Sequence, residues 1–158
     1  MILTSERGAS AVEFALIAPL LFVLTFGIIE FALLLFDKAV VTNASREGAR
    51  AAIVFHTDGS PLPDGYTPLT EEQIREIVKS YANNYLVNLG VAGDNSLSDT
   101  DIVITYAPTP GTPESEGDIT VTVNYTYDFL VLPNLAALVG GTFDGTVNLV
   151  GTTVMRME

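Results

Sequence analysis

Arg7-Gly8-Ala9-Ser10-Ala11-Val12-Glu13-Phe14 opens an apolar run that continues to Phe36. One carboxylate, Glu13, stands at the mouth of the run. Phe14 to Phe36 is interrupted only by Pro19, Thr25, Gly27 and Glu30. At ~1.5 Å per residue those 23 residues span about 34 Å, against roughly 30 Å of bilayer hydrocarbon. A buried core helix seldom stays apolar all round for so long. A secretory signal peptide would need a shorter apolar core and a small-residue exit, and Phe31-Ala32-Leu33-Leu34-Leu35-Phe36 supplies none. A retained membrane helix over 14–36 is the expected reading. A charge inside such a segment costs about 2.5–3.5 kcal/mol, so Glu13 calls for a partner, while Glu30 has three routes open: pairing with a partner protein, snorkelling, or protonation near the outer interface.

Beyond Phe36 the helix is expected to continue into water as far as about Phe55. Val40, Ala44, Gly48 and Ala52 recur every fourth residue and mark one face. Small residues at this spacing admit either a partner helix or the protein's own sheet at close range. Pro19 removes one helical hydrogen bond, which membrane helices tolerate.

Charge is distributed unevenly. Of the net −12, residues 1–57 contribute −1 and residues 58–158 contribute −11. So acidic a distal region is repelled by nucleic acid and by anionic lipid, which argues against a nucleic-acid partner. The chain has no cysteine, so the distal region must hold together by packing without disulfides.

His56 to Leu69 carries Asp58-Gly59, Pro61, Pro63, Asp64-Gly65 and Pro68, and reads as a loop. Thr70-Glu71-Glu72-Gln73 fits a capping box opening a second helix. Ile74, Ile77, Val78, Tyr81 and Tyr85 are its expected buried face, and Gly90 its expected stop. Three strands are expected next, around Ile102–Tyr106, Ile119–Tyr127 and Val147–Met157, the middle one alternating apolar residues with Thr and Asn. Phe129–Val139, apolar but containing Pro133, reads as an irregular loop or short helix over the sheet. Short connections favour antiparallel pairing. The expected fold class is therefore α+β: a long N-terminal helix packed on a small antiparallel sheet with a second helix.

Chemistry-bearing clusters are sparse. His56 is the one histidine, which disfavours histidine-based metal sites and triads. Asp94, Asn95, Ser96, Asp99 and Asp101 could offer oxygen ligands to calcium, but they lack the EF-hand spacing and read more simply as a solvated turn. Asn43-Ala44-Ser45 and Asn124-Tyr125-Thr126 match the low-information glycosylation pattern. With no phosphate loop and no nucleophile–base pair, neither an enzyme nor a cofactor is expected.

Glycine followed five residues later by glutamate and then an aromatic residue resembles the processing site of a type IV prepilin. More specifically, residues 7–21, Ile28-Ile29-Glu30-Phe31 and Val41-Thr42-Asn43-Ala44-Ser45-Arg46-Glu47-Gly48-Ala49-Arg50-Ala51-Ala52 resemble TadE-like proteins, pseudopilins of tight-adherence (Flp) pili. The closing Met155-Arg156-Met157-Glu158 is also similar to that family's ending. The resemblance implies a type IV pilin-like fold and a leader of residues 1–8, cut between Gly8 and Ala9 by a prepilin peptidase. It implies a helix over 9–56 and a head over 57–158 outside the cytoplasm. Glu13 would be the assembly carboxylate, paired with the Ala9 amine that cleavage exposes, with Phe14 as its neighbouring aromatic. Asn43, Ala44, Arg46, Glu47, Gly48, Arg50 and Ala52 would be the helix-packing motif, and Glu30 a possible intramembrane pairing residue. Implied partners are the peptidase, other pilins of the same pilus, the inner-membrane assembly platform and lipid. Lys and Arg flank the segment on both sides, so they do not set its orientation; the peptidase site puts the N-terminus inside. The alternative is an uncleaved, membrane-anchored acidic scaffold or binding module.

Overall fold

In a computed structural model of the chain, residues 6–55, 69–87, 96–108, 117–138 and 140–156 are described. Helix α1 runs unbroken over Glu6–Phe55, through Pro19. Helix α2, Glu71–Tyr85, begins with the expected capping box. Thr70 Oγ1 accepts from the Gln73 amide at 3.3 Å, and Gln73 Oε1 accepts from the Thr70 amide at 2.9 Å. Two of the helix's orphan donors are thus satisfied at its start. The expected stop at Gly90 lies outside the described residues.

Strands β1 (Ile102–Pro108), β2 (Gly117–Asp128) and β3 (Thr146–Arg156) form an antiparallel meander in that order, with helix α3 (Leu132–Leu138) between the last two. Ile104 stands opposite Val121, and Val121 opposite Thr153. The period-two pattern of β2 is realised: Ile119, Val121, Val123, Tyr125 and Tyr127 are buried, while the intervening Thr and Asn face outward. The architecture is α+β, two layers deep, with α1 and α2 over one face of the sheet.

The core lies between those layers. Val40, Val41, Ala44 and Ala52 of α1 meet Ile74, Val78 and Ala82 of α2 and the inner face of β2. Two glycines set how closely the layers approach. A Cβ on Gly48 would come within 2.4 Å of Val78 Cγ2, and one on Gly151 within 2.6 Å of the Val41 carbonyl oxygen. At α2 the expected face needs correction: Ala82 is buried and Tyr81 half-buried, but Tyr85 is 54% exposed and rests against Tyr81 with ring centroids 5.2 Å apart. The 3.6-residue stripe passes through Ala82, which rotates Tyr85 out of the core.

Candidate functional site

The site is α1 itself, read from its N-terminal end. Gly8, Ala9, Glu13 and Phe14 all lie on the helix with exposed side-chain positions, Phe14 at 70%. None of the ion pairs among the described residues involves Glu13. Leu16, Ile17, Leu20, Leu24 and Ile28 are likewise uncovered. α1 is long and apolar enough to cross a membrane, and its most apolar stretch is almost bare of contact with the rest of the chain. Such a helix suggests a membrane anchor. Ala9 sits one helical turn before Glu13, about 6 Å along the axis.

Cover by the head begins at Glu30, which is only 4% exposed. Its carboxylate accepts from the backbone amides of Leu130, Val131 and Leu132, the last two at 3.0 Å each. Tyr127 Oη donates to the Glu30 carbonyl at 3.4 Å. Burial, reinforced by the charges of Glu30 and Asp37, pushes the Tyr127 phenol up to about 12. Glu30 thus anchors a segment a hundred residues away in sequence. The short helix expected over the sheet is instead fastened to α1 by these bonds.

One residue past the apolar run, Asp37 is fully buried. Its Oδ1 accepts from the Val87 amide at 2.9 Å, tying the end of α2 to α1. Its Oδ2 has no hydrogen-bond partner among the described residues. Burial raises its pKa to about 6, with the Val87 hydrogen bond opposing. Lys38 donates to the Val150 carbonyl of β3 on the neighbouring side. Nothing local in the sequence marks Asp37 or Glu30 as a tie between elements.

Higher on α1 the motif of residues 43–52 divides by face. Ala44, Ser45, Gly48, Ala49 and Ala52 are buried against the protein's own α2 and sheet. Ser45 Oγ bonds the Thr42 carbonyl and Thr153 Oγ1, both at 2.8 Å. Of the two readings of the small-residue stripe, the intramolecular one accounts for these contacts. Asn43, Arg46 and Arg50 are exposed and Glu47 half-exposed. With Tyr81 of α2 and Thr153 and Met155 of β3, they line an open groove of about 420 Å³.

Among the described residues, the calcium candidates Asp99 and Asp101 are already engaged by protein groups. Asp94 and Asn95 lie outside the described residues. Asp99 is 2.7 Å from Lys79, which also pairs with Glu76 at 2.5 Å, and this cation holds the Asp99 carboxyl below its usual range. Asp101 accepts from Ser98, from its amide at 2.8 Å and its hydroxyl at 2.7 Å.

No curated protein and no solved structure matches the chain. Residues 8–50, the bare N-terminal helix and the lower part of its packed half, match the family model for TadE-like proteins, which suggests a minor pilin-like protein associated with a Tad pilus.

Proposed function

We propose that the chain is a minor pilin or pseudopilin of a tight-adherence pilus. It is processed by prepilin peptidase between Gly8 and Ala9, held in the inner membrane by α1, and carries its head outside the cytoplasm. It is then drawn into or alongside the pilus through that same helix, by the inner-membrane assembly platform and with other pilins. The observation that carries this reading is a helix whose family-matched N-terminal half is left bare by its own head. Its work is structural, as is general for the family.

Glu13 then acts as an assembly carboxylate. Near the cytoplasmic membrane boundary it reaches water or the Ala9 amine one turn away. Packed among neighbouring helices it needs a cation, because an unpaired buried charge costs several kcal/mol. The Ala9 amine of an adjacent subunit supplies that charge and fixes the axial register. A carboxylate in the first turns also favours the positive end of the helix dipole, by ~0.3–1 kcal/mol, a contribution that needs no partner.

Co-expression with a prepilin peptidase, followed by N-terminal sequencing and mass measurement, tests the reading. A mature chain beginning at Ala9 is expected, with Glu13→Ala processed normally yet lost from sheared pili. A chain that keeps Met1 beside an active peptidase would support the uncleaved anchor instead.

A further inference from the structure

Residues 129–143, FLVLPNLAALVGGTF, carry no charge between Asp128 and Asp144. Residues 58–158 otherwise hold fourteen acids and three bases. The apolar segment is fastened to α1 at a height that lies within the apolar run. Glu30 takes the amides of Leu130, Val131 and Leu132. Leu132 Cδ2 lies 4.0 Å from where a Cβ on Gly27 would stand. Phe129 packs edge-on against both Tyr127 and Phe143, at 5.2 Å between ring centroids in each pair, while Phe143 stays 46% exposed.

Helical rise sets the level of this segment relative to a bilayer. A hydrocarbon slab of about 30 Å is crossed by ~20 helical residues. Measured from Phe14 it ends near Leu34; measured from Ala9 it ends near Ile29. Gly27 to Glu30 therefore lies at the outer boundary or up to about 10 Å inside it. That is the depth at which interfacial helices bed, ~5–10 Å below the headgroup boundary.

Much of the first part of the segment's backbone is also provided for internally. Besides the three amides on Glu30, Phe129 N–H donates to the Gly145 carbonyl at 2.8 Å and Gly140 N–H to Ala137 at 3.1 Å. Asn134 Nδ2 donates to the Leu130 carbonyl at 2.9 Å. A loop in water has no need of a buried carboxylate for its amides, whereas backbone near hydrocarbon must find partners within the protein.

We propose that residues 129–138 and 140–143 are a foot that beds in the outer-leaflet interface of the bilayer crossed by α1, with Glu30 as the post joining foot to anchor. The inference rests on the membrane reading given under the proposed function. The foot seats the acidic head against the surface through its longest uncharged segment and fixes the tilt of the head before assembly.

The chain has no tryptophan, so a single introduced one reports depth directly. The full chain is reconstituted at low protein-to-lipid ratio in two sets of phosphatidylcholine vesicles, one brominated near the carbonyl end of the acyl chains to read the foot and one near the methyl end to read the anchor at Leu24. Four variants are compared after circular dichroism confirms their folding: Ala137→Trp and Phe143→Trp in the foot, Leu24→Trp in the anchor and Val154→Trp on the outer sheet face. Both foot variants are expected to lose more than half their emission to the bromines, with little quenching by aqueous acrylamide. Val154→Trp should show the reverse. Quenching of Leu24→Trp without quenching of the foot overturns the foot and leaves the membrane reading standing. An unquenched Leu24→Trp defeats the membrane reading and the foot with it. Foot tryptophans shielded from both quenchers would mean that a second copy covers the segment, which also overturns the proposal.

Discussion

Asp37 and Glu30 show how one carboxylate can join two distant parts of a chain. Asp37 is buried with a single amide donor, so its charged form is penalised and its pKa rises to about 6 from 3.8. Between about pH 4 and 6 the native state keeps a proton that the unfolded chain has released. Stability from this group is therefore greatest below pH 4 and falls as pH rises through 6, by up to about 3 kcal/mol. Asp37→Asn keeps an acceptor for the Val87 amide and removes the charge. It is expected to flatten that slope and to stabilise the head at pH 7 by roughly 1–3 kcal/mol. Urea titrations of the detergent-solubilised chain at pH 4 and 7 check this, and an unchanged slope would rule Asp37 out as its source. Glu30 offers its side-chain oxygens to three amides, each such bond worth at least about 0.5–1.5 kcal/mol. Glu30→Ala should thus cost at least about 2 kcal/mol. Hydrogen exchange should locate the damage, with Leu130, Val131 and Leu132 losing protection while the amides of β2 keep theirs.

At the scale of elements, the decisive contact is the close crossing of α1 over β3. Gly151 stands beside the Val41 carbonyl, where a Cβ would sit 2.6 Å from backbone oxygen and 2.8 Å from backbone carbon. Gly151→Ala must push the helix off the strand and is expected to cost about 1–3 kcal/mol, as overpacking does. Gly48→Ala meets Val78 Cγ2 and Val121 Cγ1, side chains that can yield, so it should cost less. Denaturant midpoints of the two variants check the order, and equal costs would mean that the crossing is softer than the contacts imply. Neither glycine's neighbours can be read locally, and this marks the limit of legibility. The length of α1, the capping box at Thr70 and the alternation in β2 are periodicities or short spacings, visible within a dozen residues. Which face of α2 is buried depended on a choice between Tyr81–Tyr85 and Val78–Ala82 stripes that differ by one residue, and packing chose Ala82. The partners of Glu30, Asp37 and Gly151 lie 50 to 110 residues away in sequence. Such ties are set by the tertiary fold, and no spacing announces them. The Gly8–Glu13–Phe14 motif was legible as a spacing within seven residues, and the head leaves it uncovered.

Taken as a whole, the molecule is an acidic head on a bare apolar helix, with one basic strip where the two meet the groove beside Tyr81. The ion pairs among the described residues use Arg75 and Lys79, and neither Arg46 nor Arg50 takes part in them. Arg46 reaches only Asn43, at 3.4 Å. Two exposed guanidinium groups one helical turn apart, on a chain of net charge −12, form a patch that an acidic surface would complement. On the proposed pilin reading, the acidic head of a second copy of this chain is such a surface. Because these side chains lie outside the core, Arg46→Glu with Arg50→Glu should leave folding stability within about 0.5 kcal/mol. Recruitment into pili should nevertheless fall, and fall further as ionic strength drops, since repulsion between like charges is then less screened. Thermal melts of the double variant, set beside its abundance in sheared pili at two salt concentrations, separate the effects. Unimpaired incorporation would assign the strip to solvent and leave assembly to the bare half of α1. Impaired incorporation with an unchanged melt would make the upper helix a second contact, beside the Glu13–Ala9 pairing proposed for its base.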